Sequence, residues 1–216
     1  MKNTKNENGR SMIEMLGVLA IIGVLSVGGI AGYSKAMQRY RINKCIDQIT
    51  YMAGAIRTFF APQKNYMGLS DSNVSLLKKA KLVPDDMWGE YVYYNRGVDN
   101  YSTTGNGLTS PFGTQVSLYP EHKNSIVDYR AFSITYKDLS PEVCIELATQ
   151  DWTTADVGVV SLGGADHNFY YVMPPLSVDK AITLCNSNYT NVSFIFDVDV
   201  NYWKSLIDQT NSKWGW

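Results

Sequence analysis

The chain has 216 residues, with 19 Lys and Arg against 20 Asp and Glu and a formal net charge of −1. That balance argues against a nucleic-acid partner, which calls for a basic face and an elevated pI. The 2 histidines, His122 and His167, lie far apart with no ligand-like spacing, which argues against a metal site, and no nucleophile–base pair or phosphate loop marks an enzyme.

The chain opens with Lys2, Lys5 and Arg10, followed by an apolar segment that begins at Met12. From Met15 to Tyr33 no charged residue occurs, and one carboxylate, Glu14, sits just inside the segment. The run has about the 20 residues that a membrane-spanning helix needs. A carboxylate there costs a few kcal/mol at mid-bilayer and less near the end, so Glu14 is a functional candidate. The charged leader looks like the n-region of an export signal. It differs in two ways: no small-residue cleavage site follows the run, and the run passes directly into an amphipathic helix. Lys35, Arg39, Arg41 and Lys44 lie beyond it, so charge counting leaves the orientation open.

Past Tyr33 the apolar positions become periodic: Ile42, Cys45 or Ile46, Ile49, Met52 or Ala53, Ile56, and Phe59 or Phe60. Steps of three and four put them on one helix face, with Arg41, Lys44, Asp47 and Arg57 on others. Ala61-Pro62 predicts the end of this helix. Ser70-Asp71 predicts the cap of a short helix from about Asn73 to Lys81, stopped before Pro84. A strand follows at Tyr91–Tyr94, and the Gly/Asn/Thr/Ser-rich stretch from Asn95 to Gly113 reads as a long loop. Strands are predicted at Thr114–Tyr119, Tyr129–Tyr136, Val157–Leu162, Asn168–Met173 and Val192–Val198. Gly163-Gly164-Ala165-Asp166 reads as a hairpin turn. Ser140-Pro141-Glu142 starts a helix that carries Cys144, and Ser177 caps another that ends at Cys185. The fold class is α+β: one long N-terminal helix whose amphipathic half packs on an antiparallel β-sheet.

Of the 3 cysteines, Cys45 lies on the long helix, and Cys144 and Cys185 lie in the C-terminal half. If that half is outside the cytoplasm, Cys144–Cys185 is the natural disulfide, worth about 4 kcal/mol in the chain-entropy model. The alternative is three buried free thiols. Asp197 and Asp199 alternate along the last strand, where solvation is a better reading than calcium binding. The aromatic runs Tyr91–Tyr94 and Phe169–Tyr171 read as half-buried sheet. The sequons at Asn73, Asn100, Asn188 and Asn191 read as chance occurrences.

Gly9, followed by an acid at the fifth position beyond it inside an apolar helix, resembles the class III signal of type IV pilins and pseudopilins. The stretch SMIEMLGVLAIIGVLSVGGIAGYSKAM resembles the pilin N-terminal helix throughout. More weakly, Leu82-Val83-Pro84-Asp85-Asp86-Met87, Ser110-Pro111-Phe112-Gly113, the run from Phe132 to Cys144, and the mature size are similar to the type IVb subclass. The first mature residue, Arg10, departs from the apolar residue that the family usually places there.

The resemblance implies a type IV pilin fold with a leader peptide at 1–9, a long helix at 10–60 and a globular head at 61–216. Residues 12–33 of the helix would serve as membrane anchor and filament core. It implies cleavage by a prepilin peptidase between Gly9 and Arg10 and N-methylation of Arg10. Glu14 would act in assembly, and Cys144–Cys185 would be the disulfide bounding a D-region. It implies no catalytic residue, metal or cofactor. The partners would be further copies of the chain in a helical filament, the peptidase, the inner-membrane assembly machinery and, before assembly, the membrane. The location would be the bacterial inner membrane with a periplasmic head, then an extracellular pilus. Two other readings stand beside this one: a minor pilin or type II secretion pseudopilin, and a signal-anchored periplasmic enzyme or binding protein.

Overall fold

A computed structural model of the chain describes residues 8–95, 101–124, 128–163, 169–186 and 190–214. Parts of the sequence reading lie outside them: most of the turn at 163–166, His167, and the sequon residues Asn100 and Asn188. Contacts divide the chain into two units, Met1–Arg41 and Ile42–Trp216.

The described residues of the first unit are helical. They form the N-terminal part of α1, a helix spanning Asn8–Phe60. From Met12 to Tyr33 its large apolar side chains are exposed all round. The second unit begins where the amphipathic stripe begins. Ile42, Cys45, Ile49, Met52, Ala53, Ile56 and Phe60 are each 3% exposed or less. Their steps of three and four place them on one face, which is what a helix needs in order to bury one side on a sheet.

The partner of that face is a five-stranded sheet in the order β3-β4-β7-β5-β6, with every neighbouring pair antiparallel. The strands are β3 (Val116–Glu121), β4 (Ala131–Leu139), β5 (Val157–Gly163), β6 (Phe169–Val172) and β7 (Thr190–Phe196). Strand alternation sorts their side chains. Phe132, Ile134 and Tyr136 of β4 and Val192, Phe194 and Phe196 of β7 point into the main core with the α1 stripe. Phe132 stacks on Phe196 at 4.8 Å between ring centroids, and Trp152 packs on Phe194 at 4.5 Å. The fully buried Tyr136 donates its hydroxyl proton to Gln48 Oε1 at 3.2 Å within this core. A buried hydroxyl with no acceptor would cost about 1 kcal/mol or more, so Gln48 is the acceptor that admits a tyrosine here.

The short helices follow the predicted boundaries with one change of cap. α2 spans Val74–Lys79, and its cap is Asn73, whose Oδ1 accepts from Leu76 N at 3.3 Å, not Ser70-Asp71. α3 (Pro141–Ala148) has Pro141 in its first turn, and α4 (Val178–Leu184) ends at Cys185.

Two segments differ from the sequence reading. The stretch that reads as a long loop contains β2 (Tyr101–Leu108), which pairs antiparallel with β1 (Trp88–Asn95) over its whole length. Its glycines carry a packing requirement: a Cβ on Gly105 would lie 2.7 Å from the Tyr91 ring. Glycine that reads as loop chemistry in the sequence instead leaves room for a cross-strand aromatic. The second difference is a C-terminal helix, α5 (Val200–Trp214), which the sequence reading does not place. It lies against the outer sheet face, where Ile207 and Trp203 join Val159, Ile195, Tyr171, Met173 and Val198 in a second, smaller apolar cluster. Asp199 caps it, accepting from Asn201 N and Tyr202 N at 3.1 and 3.2 Å. Strand β7 therefore stops at Phe196, and the aspartates do not share a strand face.

The α1 stripe predicts a clear stability asymmetry. Met52→Ala, at a fully buried position, should destabilise the second unit by about 2–5 kcal/mol. Asp47→Ala, on the exposed face, should stay within about 0.5 kcal/mol. Thermal unfolding of the detergent-solubilised full chain compares the two directly.

Candidate processing and assembly site

Gly9, Arg10 and Glu14 all fall in the first two turns of α1. Four residues separate Arg10 from Glu14, so their backbones lie about 6 Å apart along the axis, one helical turn. Glu14 is exposed, as are Met12 at 72%, Ile13 at 73% and Val24 at 76%. The helix holds an 18-residue window of mean hydropathy 2.2, none of it buried, and so is long and apolar enough to cross a membrane. Exposed apolar surface on this scale marks a segment made for lipid or for other protein surfaces. Among the described residues, no group of three or more His, Cys, Asp or Glu side chains is placed to hold a metal ion.

Cys144 and Cys185 form a disulfide, with Cα atoms 5.8 Å apart and a sequence separation of 41. Both are buried, Cys144 on α3 and Cys185 at the end of α4. The bridge closes a loop that carries β5, β6 and α4, and it is reinforced where Leu176 N donates to Ala148 O at 3.4 Å. Cys45 is a buried free thiol on the α1 stripe.

Two features of the second unit escape the sequence reading. The first ties the end of α1 to the sheet. Arg57 pairs with Asp197 at 2.7 Å and with Asp156 at 3.1 Å, donates to Ala155 O at 3.3 Å, and lies 5.4 Å from the centre of the Phe196 ring. Tyr66 donates its hydroxyl proton to the same Asp197. Burial, then the Asp197 hydrogen bond and charge, hold the Tyr66 phenol well above its ordinary range. Both aspartates have left-handed backbones, with φ of 55° at Asp156 and 58° at Asp197, a conformation that aspartate tolerates better than most residues. The one available signal is Arg57 itself, a cation beside the buried Ile56.

The second feature is a groove of about 300 Å³ on the outer sheet face, floored by Ser133, Thr135 and Ser193 and flanked by Glu121, Tyr171 and Trp203. Ser133 donates to Glu121 Oε1 at 2.8 Å, and Thr135 donates to Ser193 Oγ at 2.8 Å. Burial raises the Glu121 carboxyl above its ordinary value, opposed by the Ser133 hydrogen bond and the nearby His122.

An N-terminal helix that is apolar all round and then amphipathic, its stripe buried on an antiparallel sheet with a disulfide-closed C-terminal region, is the architecture of a pilin. The Bundlin family model matches residues 34–193, well over half of the chain, and the chain belongs to the Bundlin family. It is 28% identical over 167 residues to the major structural subunit of bundle-forming pilus of Escherichia coli O127:H6 (strain E2348/69 / EPEC), covering 76% of each chain. It is 29% identical over 157 residues to the protein of the same name from Escherichia coli O111:H-, covering 72% of this chain and 71% of that one. Similar solved structures include a type IV b pilin from Salmonella typhi, at TM-score 0.43 and 13% identity over 70% of this chain and 98% of that one. They also include TcpA, a type IV pilin from Vibrio cholerae El Tor biotype, at TM-score 0.48 and 15% identity over 72% and 98%.

Two outcomes follow for the second unit. Cys144→Ser should lower its stability by about 2–5 kcal/mol, the usual cost of losing a native disulfide, seen as a lower melting temperature without reductant. Glu121→Gln tests the groove carboxyl. A carboxyl raised in the folded state contributes stability below its unfolded pKa and loses it as pH rises through the folded value. The Glu121→Gln variant should therefore melt above the wild type at pH 7, with the gap closing below the ordinary carboxylate range. A constant gap across pH would show that ionisation of Glu121 is not its source.

Proposed function

We propose that this chain is the structural subunit of a type IVb-like pilus filament, made as a membrane-anchored precursor and assembled through α1. The observation that carries this reading is the exposed apolar helix with a single carboxylate one turn beyond Gly9-Arg10. Membership of the Bundlin family supports it. So do the names of the two relatives, both major structural subunits, which favour a pilus filament over a secretion pseudopilin.

In this reading residues 1–9 are a leader, 10–60 the assembly helix and 61–216 the head. A prepilin peptidase cuts between Gly9 and Arg10. Glycine suits that position because it lets the backbone enter a cleft in extended form without side-chain obstruction. The cut creates an α-amine at Arg10, which is then methylated, and the chemistry of Glu14 follows from that amine. In a bundle of apolar helices an unpaired charge is costly and a hydrogen-bonded opposite pair far less so. The Glu14 carboxylate of one subunit therefore meets the amine of a neighbour, and only one axial stagger satisfies both. A buried polar group sets register in coiled coils by the same logic. The precursor sits in the inner membrane with its head in the periplasm, where disulfides form and persist, and the assembled subunit is extracellular. The role is structural, with further copies of the chain, the peptidase and the inner-membrane assembly machinery as partners.

Mass spectrometry of filaments purified from the cell surface tests the reading. The mature chain should begin at a methylated Arg10. Filaments built of chains that retain Met1 would overturn it. Gly9→Ala should accumulate the precursor, and Glu14→Ala should be cut normally while filament yield falls by an order of magnitude or more.

A further inference from the structure

Between Glu14 and Asp47 the chain has no acidic residue. Just beyond the apolar run it carries Lys35, Arg39 and Arg41, and all three are exposed on α1. None of the three forms an ion pair among the described residues. At about 100° per residue Lys35 and Arg39 share one side of the helix and Arg41 lies far round from them, so the cations form a collar and not a stripe. Two exposed tyrosines accompany the collar, Tyr33 just before it at 68% and Tyr40 within it at 59%. Tyrosine at the edge of an apolar span is an interfacial residue, with its ring in the acyl boundary and its hydroxyl among the headgroups.

We infer that Lys35, Arg39 and Arg41 bind the phosphate groups of anionic phospholipid headgroups where the helix leaves the bilayer. The inference rests on the proposal that residues 12–33 span the membrane. If they do, the length of the span places the three cations at headgroup depth. Long basic side chains at the end of a span extend their charge to the interface. Arg adds paired N–H donors that match phosphate oxygens. The positive-inside tendency works against basic residues on an exported flank. Three of them, with no acid between Glu14 and Asp47, therefore call for a local anion, and an anionic headgroup supplies it at the right depth. The collar holds the subunit in the bilayer, and leaving for a filament means exchanging lipid phosphates for other contacts.

The test compares the wild-type full chain with the Lys35→Gln/Arg39→Gln/Arg41→Gln variant, each reconstituted in nanodiscs of equal parts phosphatidylglycerol and phosphatidylcholine. Native mass spectrometry then reads the lipids retained. The wild type should retain phosphatidylglycerol in preference, with the preference weakening as salt rises. The variant should lose about fivefold in that preference for each cation removed. Both proteins should keep the Cys144–Cys185 bridge, which shows that the second unit is folded. Equal retention of the two lipids by the wild type, or a preference unchanged in the variant, overturns the inference. Alkaline extraction of cell membranes separates this from the underlying proposal. If the wild type is extracted, the membrane span itself is wrong. If it stays in the membrane yet shows no anionic preference, only the collar is wrong.

Discussion

Seven side chains from Ile42 to Phe60, all nearly or fully buried along one face of α1, place the helix on the inner face of the five-stranded sheet. Burying a large apolar side chain contributes about 1.5–3 kcal/mol, and five of the seven are large. The inner residues of the sheet are set by this face. Phe132, Tyr136, Phe194 and Phe196 are large because a helix lies over them, and Gln48 is polar because it accepts from the buried Tyr136 hydroxyl. At the far end of the stripe Arg57 closes the arrangement. It neutralises two aspartates held in left-handed conformations, and it covers the Phe196 ring.

The sheet order gives the C-terminal half unusual weight. β7 is the last strand of this sheet in chain order, yet it lies between β4 and β5 at the centre. The core therefore closes only when a late segment inserts between earlier ones, which is a non-local and entropically costly arrangement. The Cys144–Cys185 bridge acts where that cost arises. It shortens the loop carrying β5, β6 and α4, and so holds part of the sheet near the site that β7 must fill. α5 then covers part of the outer face through Trp203 and Ile207, and leaves the Glu121 groove beside it.

The first half of α1 presents a different kind of surface. Its 18-residue apolar window is exposed throughout, and its apolar surface runs round the whole helix. The charged residues at its two ends fit that division: Glu14 near the start, and a basic collar where the run stops.

Periodicity and punctuation make much of this legible. The α1 stripe, the alternating strands, the Pro141 helix start and the two C-terminal cysteines can all be read without coordinates, because each is a local pattern with a local physical cause. The pairing of β1 with β2 cannot. Gly105 and Gly107 carry the composition of a loop, and only the Tyr91 ring across the hairpin explains why glycine is there. Arg57 lies on what reads as the polar side of the helix, and its carboxylates lie about 100 and 140 residues away along the chain. α5 is mostly polar, and its few apolar contacts include residues of the outer sheet face distant in sequence. The sequence by itself determined which segment is apolar all round, which helix face must be covered and where the chain turns. Tertiary structure alone decided what covers that face, which strand sits at the centre and which charges meet. Those outcomes depend on contacts between residues far apart in the chain, and no local pattern encodes them.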